Sequence, residues 1–214
     1  MMSHSSSCQS SKLPNVVKQV ILDEATISQT VERLAHQIQQ DYQGLDLLLI
    51  GVLQGARPFC MDLQRAIGPS SKLDWIGISR YRHLSGSRKV EIVRNTRTSL
   101  KDRHVLLVED IVDTGLTLNY LIQELKKRKP ASIYVCTLLD RPRLRLAQIP
   151  VRYVGKDVSE DFLIGYGLDY RDRYRDLPYI ATMNFESLSI GGGEEQVRDQ
   201  QSGNESYEQN PAHR

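Results

Sequence analysis

A central, mostly parallel β-sheet flanked by helices is the fold class that this sequence predicts, on three observations. Short, continuous apolar runs such as LLLIGVL and HVLLVE suit strands covered on both faces. Segments with apolar residues at helical spacing separate these runs. Strand and helix thus alternate, and strands joined this way run parallel with right-handed crossovers.

Taken in order, the first helical segment has Val31, Leu34, Ala35 and Ile38 on one face, and Thr26 with Gln29 has the spacing of a capping box ahead of it. Leu47 to Leu53 is the first buried strand, and Phe59, Leu63, Ala66 and Ile67 form the next helical stripe. Leu73 to Tyr81 reads as a strand that leads into a polar excursion, HLSGSRK, from which Lys89 to Arg94 returns. His104 to Glu109 is another buried strand. Leu118, Leu121, Ile122 and Leu125 mark the helix after it, which runs into the basic stretch Lys126 to Lys129 and stops at Pro130. Ser132 to Leu139 reads as a strand, and Val151 to Val154 fits a short one.

At 214 residues the chain suits one well-packed domain. Residues 1–12 are polar and Ser-rich, and residues 187–214 offer almost nothing to bury, so both are expected to be disordered around a domain at 13–186. Twenty-eight Lys and Arg against 26 Asp and Glu leave a formal charge of +2, which argues against a nucleic-acid binder. No run of eighteen apolar residues and no secretory signal occur. Cys8, Cys60 and Cys136 lack zinc-site spacing, and Cys60 and Cys136 read as small buried hydrophobes. A cytoplasmic setting fits these features.

The chemistry concentrates in VLLVEDIVDTGLTL, Val105 to Leu118. A buried strand delivers two adjacent carboxylates, Glu109 and Asp110. A turn with Asp113, Thr114, Gly115, Leu116 and Thr117 then opens a helix. Backbone N–H groups at a helix N-terminus form an anion site suited to a phosphate monoester. Carboxylates at a strand end suit ribose hydroxyls and a hard cation such as magnesium. Ligands of such sheets gather at the carboxyl ends of the strands, so a sugar phosphate is the implied ligand.

This string resembles the phosphoribosyl-pyrophosphate motif of the type I phosphoribosyltransferases in their purine-salvage form, and the likeness runs from about Val20 to Met183. The resemblance implies that family's fold, a central mostly parallel sheet with a small hood built from both ends of the chain. It implies transfer of the phosphoribosyl group from phosphoribosyl pyrophosphate to hypoxanthine or guanine, giving IMP or GMP, with Mg2+ as cofactor and assembly as a homodimer or homotetramer. By residue, it puts Thr114, Gly115, Leu116 and Thr117 on the 5-phosphate, Glu109 and Asp110 on the ribose hydroxyls directly or through metal, and Asp113 near purine N7 as acid/base. Leu53, Gln54 and Gly55 match the pyrophosphate loop, whose first peptide is often cis in the family. Phe162 matches the ring stacked on the base, and Leu163 the backbone at the base edge. Asp169 matches a magnesium ligand and Arg175 a pyrophosphate contact. Arg80 and Tyr81 fall at a lid over the reaction centre, where water must be excluded.

Some positions depart from the family pattern. Arg141 stands where the family usually has the lysine that donates to the purine O6. Lys156-Asp157 replaces the usual Phe-Glu, and Arg80 a common serine. Arg141 supplies only donors, which disfavours adenine and leaves a xanthine-preferring enzyme as one alternative. A nucleotide-sensing, RNA-binding regulator on the same fold is another, and an acid/base residue at Asp113 argues against it.

Overall fold

The computed structural model describes residues 14–82 and 88–187. The chain divides into two compact units, one spanning Val17–Met183 and the other drawn from the two termini. All the elements that follow belong to the first. The segments expected to be disordered, apart from Ser187, and the centre of the polar excursion (residues 83–87) lie outside the described residues, as does Cys8.

The elements run β1 (Val17–Leu22), α1 (Glu24–Asp41), β2 (Leu47–Leu53), α2 (Arg57–Ile67), β3 (Ser71–Arg82), β4 (Arg88–Arg94), β5 (His104–Val112), α3 (Leu116–Lys126), β6 (Ser132–Asp140), β7 (Val151–Asp157), β8 (Leu163–Ile164) and β9 (Ile180–Met183). Six strands form the main sheet in the order β4-β3-β2-β5-β6-β7. Only β4 pairs antiparallel, so the sheet is mostly parallel as expected. A second sheet, β1-β9-β8, joins one strand from the N-terminal side to two from the C-terminal side. It is the small hood that the resemblance implies.

The continuous apolar run of β2 follows from burial on both faces. Leu47 and Leu49 join one core with the apolar faces of α1 and α2, while Leu48, Ile50 and Val52 join a second core with Leu118, Leu121, Ile122 and Leu125 of α3. The hood residues Leu22, Leu163 and Ile180 belong to the first of these cores.

Several boundaries differ from the sequence reading. The cap of α1 is Asp23, whose carboxylate accepts the Thr26 N–H at 2.8 Å, so Thr26 lies inside the helix and the Thr26–Gln29 box does not form. An aspartate at that position satisfies an otherwise orphaned N–H three residues on. In α2, Ala66 is exposed and Cys60 takes its place on the buried face. β1 carries no strong alternation, and the sequence does not signal it. β5 runs to Val112 and β7 to Asp157, because each keeps pairing with β6 beyond its apolar stretch.

Candidate active site

Extension of β5 beyond Glu109 puts Asp110 within the strand as well, with Glu109 half-buried and Asp110 buried. Gly115 then caps α3 at φ +75°, a left-handed conformation that glycine adopts without a Cβ clash. Room is short there as well, since a Cβ would lie 3.1 Å from both the Ala147 carbonyl and Arg145 Cδ. The backbone of 146–147 presses on the turn because the Leu146 and Ala147 N–H groups both donate to the Thr114 carbonyl, at 2.9 and 3.0 Å. The cradle of Thr114, Gly115, Leu116 and Thr117 is therefore braced from behind, and its helix N-terminus is a ready anion site.

Behind the cradle, Arg145 pairs with Asp140 at the end of β6. Burial pushes the Asp140 carboxyl above its usual range against the opposing pull of Arg145. Among the described residues, Arg145 Nη1 is buried with no hydrogen-bond partner. The sequence reading missed this pair, because an arginine in a basic stretch reads as a solvated charge.

A second backbone loop meets the cradle. The Leu53–Gln54 peptide is cis. Two residues on, Gly55 sits so close to Asp110 that a Cβ would overlap the carboxylate. From the other side Gly167, at φ +99°, approaches so closely that its own Cβ would overlap the Gly55 carbonyl. Arg175 braces this glycine, donating from Nη1 to the Gly167 carbonyl at 2.8 Å, and its Nη2 pairs with Asp169 Oδ1 at 2.8 Å. Asp169 Oδ2 in turn accepts the Asp172 N–H at 2.8 Å. One chain of contacts thus links Asp110, Gly55, Gly167, Arg175 and Asp169. Gly167 is the member that sequence reasoning passed over. Its signal was the paired glycine spacing of GYG, at Gly165 and Gly167.

Asp113 belongs to a second group. Its Oδ1 pairs with Arg141 Nη1 at 3.1 Å, and Arg141 also reaches the carbonyls of Ser159 and Asp161. That loop leads into Phe162, an exposed ring set edge-on to Tyr170 at 5.8 Å, and into Leu163, which is buried in β8. Arg80 and Tyr81 lie on β3 opposite Val90 and Lys89, at the edge of the undescribed stretch. Among the described residues no three acidic, His or Cys side chains converge as a metal site, so Glu109, Asp110 and Asp169 do not form one ligand cluster. No described helix is long and apolar enough to cross a membrane.

Residues 19–171 match the family model for the phosphoribosyl transferase domain. A hypoxanthine-guanine phosphoribosyltransferase of Staphylococcus aureus is 39% identical over 176 residues, covering 82% of this chain and 98% of that protein. One of the same name from Mycobacterium avium is 42% identical over 178 residues, covering 80% of this chain and 88% of that protein. Among solved structures, a Staphylococcus aureus hypoxanthine phosphoribosyltransferase superposes with a TM-score of 0.78 at 38% identity, covering 84% of this chain and 98% of that one.

Proposed function

The chain belongs to the phosphoribosyl transferase domain family, and we propose that it is the purine-salvage enzyme that transfers the 5-phosphoribosyl group of phosphoribosyl pyrophosphate to hypoxanthine or guanine. The products are IMP or GMP and pyrophosphate. The bond from the sugar's anomeric carbon to pyrophosphate breaks, a bond to a purine ring nitrogen forms, and the base sheds a proton.

The observation that carries the reading is the seating of Gly55 on the Asp110 carboxylate. It brings a second backbone loop against the strand that delivers the helix N-terminal cradle. A helix N-terminal anion site with carboxylates and a second backbone loop beside it suits a ligand phosphorylated at both ends of a ribose. In this reading Thr114, Gly115, Leu116 and Thr117 hold the 5-phosphate. Leu53, Gln54, Gly55 and Arg175 hold the pyrophosphate, and Glu109 and Asp110 the ribose hydroxyls. Phe162 stacks on the base, Leu163 meets its edge, Arg141 faces the 6-oxo group, and Asp113 takes the proton near N7. Arg80 and Tyr81 begin the lid.

Magnesium fits this donor set. The available groups are carboxylate oxygens, which suit a hard cation. Magnesium held by one or two carboxylates completes its shell with water and substrate phosphate oxygens. Asp169 would hold the ion on the pyrophosphate side, and Glu109 and Asp110 the one on the ribose side. Bound there, magnesium supplies charge neutralisation for the departing pyrophosphate. The chain's own share is Arg175 and the loop N–H groups, fixed in place before the charge develops. Assembly as a homodimer or homotetramer in the cytoplasm belongs to the same reading, and light scattering tests the assembly.

The deciding experiment is a spectrophotometric assay with phosphoribosyl pyrophosphate and magnesium, offering hypoxanthine, guanine, xanthine and adenine separately. Product from hypoxanthine or guanine is expected. Product from xanthine or adenine alone would keep the chemistry and overturn the base assignment. No product from any base would overturn the enzyme reading.

A further inference from the structure

Arg141 sits where a guanidinium can do what a single ammonium cannot. Its backbone N–H donates to the Val112 carbonyl at 2.9 Å, which anchors the residue beside the end of β5. Its side chain is only 11% exposed although it lies at the ligand end of the sheet. Three of its nitrogens act on two separate segments of the chain. Nε donates to the Ser159 carbonyl at 2.8 Å, Nη2 to the Asp161 carbonyl, and Nη1 to Asp113 Oδ1 at 3.1 Å.

Among the described residues, the loop on which two of these bonds end has few other anchors, one of them the Met183 N–H, which donates to the Phe162 carbonyl at 2.9 Å. Residues 159–162 are exposed, and within the loop the Ser159 hydroxyl donates to Asp161 Oδ2 at 2.7 Å. Upstream, the Val158 N–H holds the Asp140 carbonyl at 2.9 Å. With little apolar burial to fix it, this stretch takes its position from the Arg141 fork at 159–161 and from the Met183 bond at Phe162, which follows directly. Asp113 is itself 46% exposed and gains its orientation from the same fork. A planar group with donors at fixed angles can hold three acceptors on two segments at once. An ammonium presents all its donors from one atom on a flexible stem.

We infer that Arg141 is a positioning residue that makes the Asp113 carboxylate and the 159–162 loop one unit, so that the proton acceptor and the base platform are set relative to each other. This inference rests on the reaction proposed above. The guanidinium keeps one uncommitted N–H on each terminal nitrogen, and these are the donors left for a 6-oxo group. The purine oxygen is then met by a group whose angle the protein has already chosen, which makes Arg141 a determinant of base preference through geometry as well as charge.

The test is a double-mutant cycle with Arg141→Lys, Asp113→Asn and both together, read as kcat and as KM for each substrate. Alongside it, amide hydrogen exchange is followed over residues 158–163. Arg141→Lys keeps the charge and removes the fork. It is expected to lower kcat about tenfold while the KM for phosphoribosyl pyrophosphate moves less than about twofold, because slight misplacement of a reacting group is costly. In the Asp113→Asn background the same change should cost less than about threefold, since residues acting through one another are not additive. Exchange at residues 159–163 should quicken.

An equal cost in both backgrounds, or unchanged kcat with only an altered choice among bases, would overturn the inference and leave Arg141 a simple donor to the base. Should Arg141→Lys fail to fold, Arg141→Gln is read the same way. If the wild-type protein transfers to no base, the enzyme reading fails. The clamp is then judged by exchange alone, where unchanged protection of the loop overturns it.

Discussion

Asp74 illustrates how one buried carboxylate organises a return loop. It lies on β3, 7% exposed, and accepts backbone N–H groups from Trp75, Arg97 and Thr98, each at 2.8 Å. Burial works to raise its pKa, but the N–H groups of Thr98, Trp75 and Arg97 outweigh it and hold the carboxyl below its usual range. A group depressed in the folded state stabilises fully above the unfolded carboxyl's pKa and loses that contribution as pH falls through the folded value. Asp74→Asn should therefore cost roughly 1–3 kcal/mol at neutral pH. Denaturant titrations of the two proteins should converge only below about pH 4, where carboxyls ordinarily titrate. An equal gap at neutral and strongly acid pH would show that packing, not charge, makes the difference. Asp113 and Arg175 show the limit of residue-scale reading in the other direction. Their types and spacing were legible, whereas the geometry that fixes them, Arg141 for one and Gly167 with Asp169 for the other, comes only with the folded chain.

At the scale of elements, the site is built where loops touch. α2 begins at Arg57, directly after the loop of Gly55, and the Arg57 N–H closes that loop onto the Gln54 carbonyl at 3.1 Å. Gly55 is wedged between Asp110 and Gly167, with no room for a methyl group on the Asp110 side. Gly55→Ala must push the loop off β5, so kcat/KM for phosphoribosyl pyrophosphate should fall about a hundredfold, the scale expected when a binding group moves by an ångström. Thermal stability should change little by comparison, because the loop lies outside the two cores. A variant with wild-type kcat/KM would mean that Asp110 gives way, and that the contact does not fix the loop.

For the molecule as a whole, stability resides in the six-stranded sheet and the cores on its two faces. Cys60 and Cys136 sit in the first of these, both fully buried. Burial pushes the Cys60 thiol up to about 12 and also raises Cys136, which feels Cys60 as well. Since the thiolate is the reactive form, neither should react with a thiol reagent in the native protein at neutral pH. Mass spectrometry should find both modified only at the rate of global unfolding. Fast modification of either would show that the α1–α2 face opens locally.

The alternation of apolar runs with helical stripes determined the fold class. That pattern is local: it records which faces each segment must bury, so β2, α2 and β6 were legible within a residue or two, while α3 ends at Lys126, the first residue of the basic stretch, short of the Pro130 expected to close it. The carboxylates, glycine and threonines at the end of β5 were legible as chemistry for the same reason, since a strand, a turn and a helix N-terminus are neighbours in sequence. Tertiary structure decided what depends on long-range contact. The extra length of β5 and β7 comes from pairing with β6, and β1 exists because β9 completes it. Gly167 matters because Gly55 lies against it, and Arg141 acquires its fork of partners because β6 ends beside both Asp113 and the 159–161 loop. A sequence states what each residue can donate, accept or bury, but only the folded chain brings the other half of each contact within reach.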